Sequence, residues 1–270
     1  MPPDGGGMDI DMSNEIKKIA VITGASSGMG RVFVTELDKQ QKFDEIWVIA
    51  RRLDRLESLV GLTRAEIRPI ALDLSKKKDL GVYKKMLADE KPHVKVLVNA
   101  AGFGKFKAFT ELSLDEQLAI IDLNDKALVA MTYMTLPYMQ EGDEIYQLGS
   151  LSSFQPVPYI NVYGASKAFV LSFSRALNKE LEKQGRGIRC MAVCPGWVRT
   201  DFFERAVVDD TITYYNRYFS PQEVVARALS DMKKGKDVSV CGASIRAQVL
   251  LTKLLPHGIV MEIWCKQQKK

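Results

Sequence analysis

Seven short apolar runs punctuate the chain: Lys17–Thr23, Glu45–Ala50, Arg68–Leu72, Val94–Val98, Glu144–Leu148, Ile188–Val193 and Asp237–Cys241. Each is five to seven residues long and runs into a glycine, a polar residue or, after Val193, Cys194-Pro195-Gly196. That is the signature of strands buried on both faces rather than of helices. Between the runs the period changes. Val32, Phe33 and Leu37 mark a helix after the first run, and Val162, Ala165, Phe169, Val170, Phe173 and Leu177 keep a helical period through Asn161–Lys183. Ser113-Leu114-Asp115-Glu116 is a capping box that opens a long helix toward Pro137. Ser220-Pro221-Gln222-Glu223 is another, with proline at the first helical position. Strands alternating with helices predict an α/β fold: a single doubly wound domain whose seven-stranded parallel sheet carries helices on both faces. With no internal repeat and no break in composition, residues 16–243 are expected to form that domain and 244–270 a helical extension of it. Residues 1–15, rich in proline, glycine and acids without periodicity, read as a disordered leader.

In such sheets ligands bind outside the carboxyl ends of the strands. The polar clusters of this chain fall at those ends. After the first strand comes Gly24-Ala25-Ser26-Ser27-Gly28-Met29-Gly30. There Gly24 permits a tight turn, Gly28 lets backbone approach a pyrophosphate, and Gly30 lets helix and strand pack closely. Ser26, Ser27 and Met29 sit with them at a helix N-terminus, which favours an anion. Gly24-Ala25-Ser26-Ser27-Gly28 also satisfies the nucleophile elbow of hydrolases, with His257 as a late base. Against that reading, an elbow on the first strand leaves Gly30 and the downstream tyrosine–lysine pair without a purpose. After the second strand stand Arg51 and Arg52, where an acid would bind a ribose 2′-hydroxyl. Two guanidinium groups suit a 2′-phosphate instead, which predicts NADP(H) over NAD(H), with Arg51 as the main contact.

Tyr163 and Lys167 lie four residues apart on the predicted helix and share a face. A phenol ordinarily titrates near pH ~10, and a nearby ammonium lowers that value. The pair therefore reads as an acid/base device, with the lysine expected to bring the tyrosine down.

Composition narrows the rest. Apolar residues make up 46% and charged residues 26%, enough apolar content for a substantial core. The net charge of +5 is mild and its basic residues are dispersed, so no nucleic-acid footprint is read. Cys190, Cys194, Cys241 and Cys265 lack zinc spacing, and with two histidines in all no metal site is predicted. No signal peptide is visible and no run reaches the ~18–20 apolar residues of a membrane span, so a cytoplasmic location is expected.

With these residues together the chain resembles the short-chain dehydrogenase/reductase family over Thr23 to about Thr200. Its T-G-x-x-x-G-x-G motif matches Thr23–Gly30, and its N-N-A-G motif matches Asn99-Ala100-Ala101-Gly102 with alanine for the second asparagine. Lys95 stands where an acid is common before that strand. The resemblance implies a Rossmann fold and hydride transfer between a nicotinamide and a carbonyl or alcohol carbon. It implies a catalytic set of Asn124, Ser150, Tyr163 and Lys167. Tyr163 would be the proton donor and acceptor, Lys167 would also hold the cofactor ribose, Ser150 would orient the substrate oxygen, and Asn124 would interrupt its helix to hold a proton-relaying water. It implies cofactor contacts from Asp73 and Leu74, from Asn99, Ala100 and Gly102, and from Pro195, Gly196, Val198 and Thr200. A homodimer or homotetramer is also implied.

The family carries its substrate lid after the last of these, here Asp201–Ser220, with Phe202, Phe203, Tyr214, Tyr215, Tyr218 and Phe219. Together with Phe154, Tyr159 and Trp197 they predict a bulky hydrophobic substrate, for which Ser150, Phe154, Tyr159, Trp197 and Phe202 are the expected contacts. About half of the lid aromatics are expected only to pack the lid. A hydroxysteroid or bile acid leads as substrate class, a 3-oxoacyl thioester follows, and a non-catalytic NADP(H)-binding regulator is the alternative from another class. Ile245, Val249, Leu250, Leu254 and Leu255 form one apolar face and Ile259–Cys265 a second. These predict two helices that pack on the body or across an oligomer interface, with weak peripheral membrane contact as the other reading.

Overall fold

The computed structural model describes residues 16–207 and 209–270, so the leader expected at 1–15 lies outside the described residues. Elements follow one another as β1 (Lys18–Thr23), α1 (Gly28–Gln40), β2 (Glu45–Ala50), α2 (Leu53–Glu57), β3 (Glu66–Ala71), α3 (Lys77–Glu90) and β4 (His93–Asn99). Then come α4 (Leu114–Ile121), α5 (Ala127–Thr135), β5 (Glu144–Leu148), α6 (Asn161–Lys183) and β6 (Arg189–Val193). The last third holds β7 (Trp197–Val198), α7 (Asp201–Ala206), β8 (Tyr218–Phe219), α8 (Pro221–Lys233), β9 (Val238–Ser239), α9 (Ala243–Leu254) and α10 (His257–Gln267). The strands predicted from the apolar runs are the seven of the main sheet, shifted by at most two residues at either end. Their order is β3-β2-β1-β4-β5-β6-β9, and every pairing is parallel.

The order reverses beside β1, so β1 and β4 part at their carboxyl ends and open a crevice there. Alternation along each strand feeds two cores. Ala20 and Ile22 of β1 and Ile46 and Val48 of β2 face Phe33, Val34 and Leu37 of α1 and Val225 and Leu229 of α8. Ile19, Val21, Trp47 and Ile49 face Tyr83 and Leu87 of α3, Met131 of α5 and Leu181 of α6. A slip of one residue would invert both faces, so the register is strongly held. β4 shows how firmly. Its pairing with β1 shifts between Ile19 and Ala20, which stand opposite Val94 and Val96. Lys95 is the extra residue of that bulge, and its ammonium lies 5.5 Å over the Phe43 ring. Lysine is accommodated in a central strand because the bulge removes it from the two-residue repeat.

The capping box at Ser113 forms as predicted, and the helix it opens is interrupted at Asn124, as the resemblance implied. A π-helical turn, Asp122–Lys126, separates α4 from α5 and turns Asn124 inward. Asn124 is buried. Its Oδ1 accepts from the Phe103 N–H at 3.0 Å, and its Nδ2 donates to the Phe103 carbonyl and to Ser166 Oγ, both at 3.0 Å. The turn is the one place where the wide helix lets a short amide reach both the β4 loop and α6. Asn124→Ala leaves Phe103 main-chain groups without their partner, so it should cost about 2–3 kcal/mol of unfolding free energy. An unchanged urea midpoint would contradict this.

Candidate active site

The turn after β1 folds back on itself. Gly24 has φ +67° and donates its N–H to the Ile49 carbonyl at 2.8 Å. A Cβ on Gly24 would lie 2.7 Å from the Ala100 backbone, and one on Gly30 would lie 2.4 Å from the Gly24 carbonyl oxygen. Only glycine satisfies both approaches, and the N-terminus of α1 is thereby brought to the crevice. Ser27 caps α1 without spending its hydroxyl on the helix, and no acid stands in the first turn. Thr23 holds the opposite rim: its Oγ1 accepts from the Ala100 and Ala101 N–H groups, both at 3.1 Å.

A cavity of about 450 Å³ runs along this crevice. Gly24, Ser26, Ser27, Gly28, Met29 and Gly30 line one end, with Arg51, Arg52, Asp73 and Leu74. Arg52 reaches back to Ser26 Oγ at 3.4 Å. Asp73 accepts from the Ser75 N–H and hydroxyl, and these bonds with the Arg51 charge hold its carboxyl below the usual range against the pull of burial. Ala100, Gly102, Pro195, Gly196, Val198 and Thr200 line the middle.

Ser150, Tyr163 and Lys167 meet at the cavity's centre. The Lys167 Nζ donates to the Leu148 carbonyl at 2.7 Å and lies 5.7 Å from the centroid of the Tyr163 ring. Ser150 N–H donates to Ser153 Oγ at 3.2 Å, and Ser153 in turn donates to the Lys167 carbonyl at 2.7 Å, so Ser153 links the serine turn to α6. The expectation that Lys167 brings Tyr163 down is corrected here. Burial pushes the phenol up to about 12, opposed by a hydrogen bond with the Ser150 hydroxyl. Burial also takes the Lys167 amine down to about 8, opposed by the charge of Asp125. With both groups desolvated, the cost of the charged form exceeds what the Ser150 hydroxyl and the Asp125 charge return. Asp125 itself is pushed up to about 6 by burial, with one carboxylate oxygen buried and lacking a donor among the described residues.

Four residues expected at the cavity do not line it. The Asn99 side chain turns into the sheet, where Nδ2 donates to Thr132 Oγ1 at 3.1 Å and Gln147 Oε1 at 2.9 Å. Asn124 is spent on Phe103 and Ser166, as above. Phe154 packs on the α1-side core with the Lys253 ammonium 5.9 Å over its ring. Tyr159 adopts φ +67° and lies under the Lys270 ammonium at 5.6 Å. For each of these residues side-chain direction is decided by neighbours remote in sequence. His257, the base of the hydrolase alternative, is exposed and outside the cavity, so no serine–histidine site is assembled.

The apolar end is aromatic, as expected, though with a partly different set of rings. Trp197, Phe202 and Phe203 line it, joined by Phe106, which sequence reading missed. Phe106 is buried, with ring centroids 5.9 Å from Tyr163 and 6.0 Å from Phe202. Its only signal was an apolar residue just past a glycine-rich strand end. Of the six lid aromatics, Phe202, Phe203 and Tyr214 line the cavity, whereas Tyr215, Tyr218 and Phe219 pack the lid and the small β7–β8 sheet. The two predicted C-terminal helices form and pack on the body through Ile245, Val249 and Val260. They also do what was not foreseen: Leu251, Leu255, Val260, Ile263 and Trp264 close the cavity's far side. Among the described residues no helix is long and apolar enough to cross a membrane.

Comparison with known proteins agrees with this geometry. The chain is 30% identical over 195 residues to an uncharacterized oxidoreductase of Staphylococcus epidermidis, covering 72% of this chain and 83% of the relative. A short-chain dehydrogenase from Sphingobium yanoikuyae, solved in complex with NADPH, superposes with a TM-score of 0.75 at 27% identity, over 88% of this chain and 93% of that one. The bulky-bulky ketone specific alcohol dehydrogenase from Comamonas testosteroni gives 0.70 at 25% identity, over 87% and 92%. The family described as short chain dehydrogenase matches residues 18–210. Sheet order, crevice and matched span agree: this chain belongs to the short-chain dehydrogenase family of oxidoreductases.

Proposed function

We propose that the chain is an NADP(H)-dependent oxidoreductase that interconverts a secondary alcohol and a ketone on a bulky hydrophobic substrate. One observation carries the reading: a serine hydroxyl, a buried phenol and a buried ammonium converge between an anion-accepting glycine turn and a wall of aromatic rings. The donor set fits the cofactor. The free Ser27 cap and acid-free first turn of α1 suit a diphosphate, and Arg51 and Arg52 beside Ser26 suit a 2′-phosphate. The Sphingobium relative solved with NADPH supports the same choice. When bound, NADP(H) supplies or takes the hydride.

Tyr163 supplies the proton. A phenol near 12 keeps its proton at neutral pH, which suits a general acid that gives it up only as the substrate oxygen becomes alkoxide-like. Ser150, on the cavity wall, donates to that same oxygen and fixes its place. Lys167, at about 8, is mostly ammonium at neutral pH and provides the counter-charge for the phenolate that remains. Asn124 acts behind them by holding Phe103 and hence the loop that faces Lys167. Phe106, Trp197, Phe202 and Phe203 offer ring faces and edges to a large apolar body. With the Comamonas relative named for bulky ketones, a hydroxysteroid or bile acid is the leading substrate class, ahead of a 3-oxoacyl thioester.

Tyr163→Phe should reduce ketone turnover to background while NADPH affinity, read by fluorescence titration, stays within about twofold. A variant keeping substantial kcat would remove the tyrosine from its role. Arg51→Ala with Arg52→Ala should lower kcat/KM with NADPH by about 10- to 100-fold and leave the value with NADH little changed. Equal losses with both cofactors would refute the phosphate assignment. The alkaline limb of the kcat/KM profile should follow the Lys167 amine near pH 8, with activity present below that value and lost as pH rises through it. Asp125 raises the amine, so Asp125→Asn should move the limb to lower pH. A limb that stays in place would show that the amine is not the group titrating.

A further inference from the structure

The lid between β7 and β8 has no regular structure from Thr211 to Arg217, so its main-chain groups need partners elsewhere. The Thr211 and Arg217 N–H groups turn to lid side chains, Asp209 Oδ1 and Asn216 Oδ1, whereas those of Thr213 and Tyr214 find a partner just beyond α10. Gln268, 1% exposed just beyond α10, accepts at one Oε1 from the Thr213 N–H at 2.9 Å and the Tyr214 N–H at 3.0 Å. Its Nε2 donates to the Tyr214 carbonyl at 3.3 Å. Two donors converging on one atom also settle which end of the amide is oxygen. Asn216 Nδ2 donates to Gln248 Oε1 of α9 at 3.3 Å, a second and weaker tie.

The helix that carries this clamp is itself fixed beside the reacting groups. Trp264 Nε1 donates to the Pro158 carbonyl at 3.1 Å, in the loop that leads into Tyr163's helix. Val260, Ile263, Trp264 and Gln267 of α10 line the cavity, and so does Tyr214 on the lid. Gln268 thus joins two walls of one cavity, at the residue whose side chain forms part of the lid wall.

We propose that Gln268 is the positioning residue of the substrate lid. By gripping Thr213 and Tyr214 it sets the separation between lid and α10 and so selects the width of substrate that the cavity accepts. The substrate half of this statement rests on the oxidoreductase reading of the cavity, whereas the clamp itself does not.

The test pairs hydrogen exchange with steady-state kinetics on the full chain. In Gln268→Ala the Thr213 and Tyr214 amides should exchange at least about tenfold faster while peptides of the main sheet keep their protection. KM for a bulky hydrophobic ketone should rise about three- to tenfold, with kcat and NADPH affinity changed less than about twofold. Gln268→Glu keeps an oxygen that can accept both N–H groups but loses the donor to the Tyr214 carbonyl, so it should restore only part of the protection of those two amides. Lid amides that exchange at the native rate in Gln268→Ala would overturn the proposal. So would deprotection spread evenly over α10 and the sheet, because that would mark Gln268 as a general structural residue. Absence of turnover with every ketone in the native protein would count against the oxidoreductase reading, and the exchange measurement would still decide the clamp.

Discussion

Lys167 carries an ammonium into a site where almost none of its side chain meets solvent. An unpaired buried charge is costly, so the surrounding structure has to supply what water no longer does. It does so with the Leu148 carbonyl at the end of β5, with the charge of Asp125 on the π-turn, and with the face of the Tyr163 ring. These three come from different elements. Holding one lysine therefore fixes the strand end, the broken helix and α6 relative to each other.

The glycines of the β4 loop follow from the same demand. A Cβ at Gly102 would lie 2.9 Å from Asn124 Oδ1 and 3.5 Å from the Lys167 amine, and one at Gly104 would lie 2.7 Å from the Tyr163 ring. The loop can cross over the lysine and tyrosine only as bare backbone, and Asn124 keeps it there through Phe103. The break in the α4–α5 helix has the same origin. An unbroken helix would satisfy its own main chain but would leave Phe103 and Ser166 without the amide that binds them.

The two ends of the cavity are built on different principles. The anion-accepting end uses the backbone geometry of one short glycine turn, joined by Arg51, Arg52 and Asp73 at the ends of the neighbouring strands. The apolar end is assembled from Phe106, the β7–β8 lid and the C-terminal helices, which meet only through long-range packing. The Trp197 and Tyr215 centroids are 4.9 Å apart, and lid and helix are joined through Gln268. Under the proposed function, cofactor and apolar substrate would therefore be held by differently assembled parts of the chain.

What the sequence determined by itself is whatever short-range physics controls. The positions of the seven strands, the capping boxes at Ser113 and Ser220, the glycine turn and the Tyr163–Lys167 spacing each depend on neighbours a few residues away, and the structure places them as read, with strand ends moved by at most two residues. What only the tertiary structure decided is direction, depth and charge. Asn99, Phe154 and Tyr159 point away from the cavity because Thr132, Lys253 and Lys270, distant along the chain, engage them. Phe106 and α10 join the cavity because the lid and the last helix close over it. The shifts of Tyr163 and Lys167 run toward the neutral forms because burial, which no spacing reveals, outweighs the Ser150 hydrogen bond to the one and the Asp125 charge beside the other.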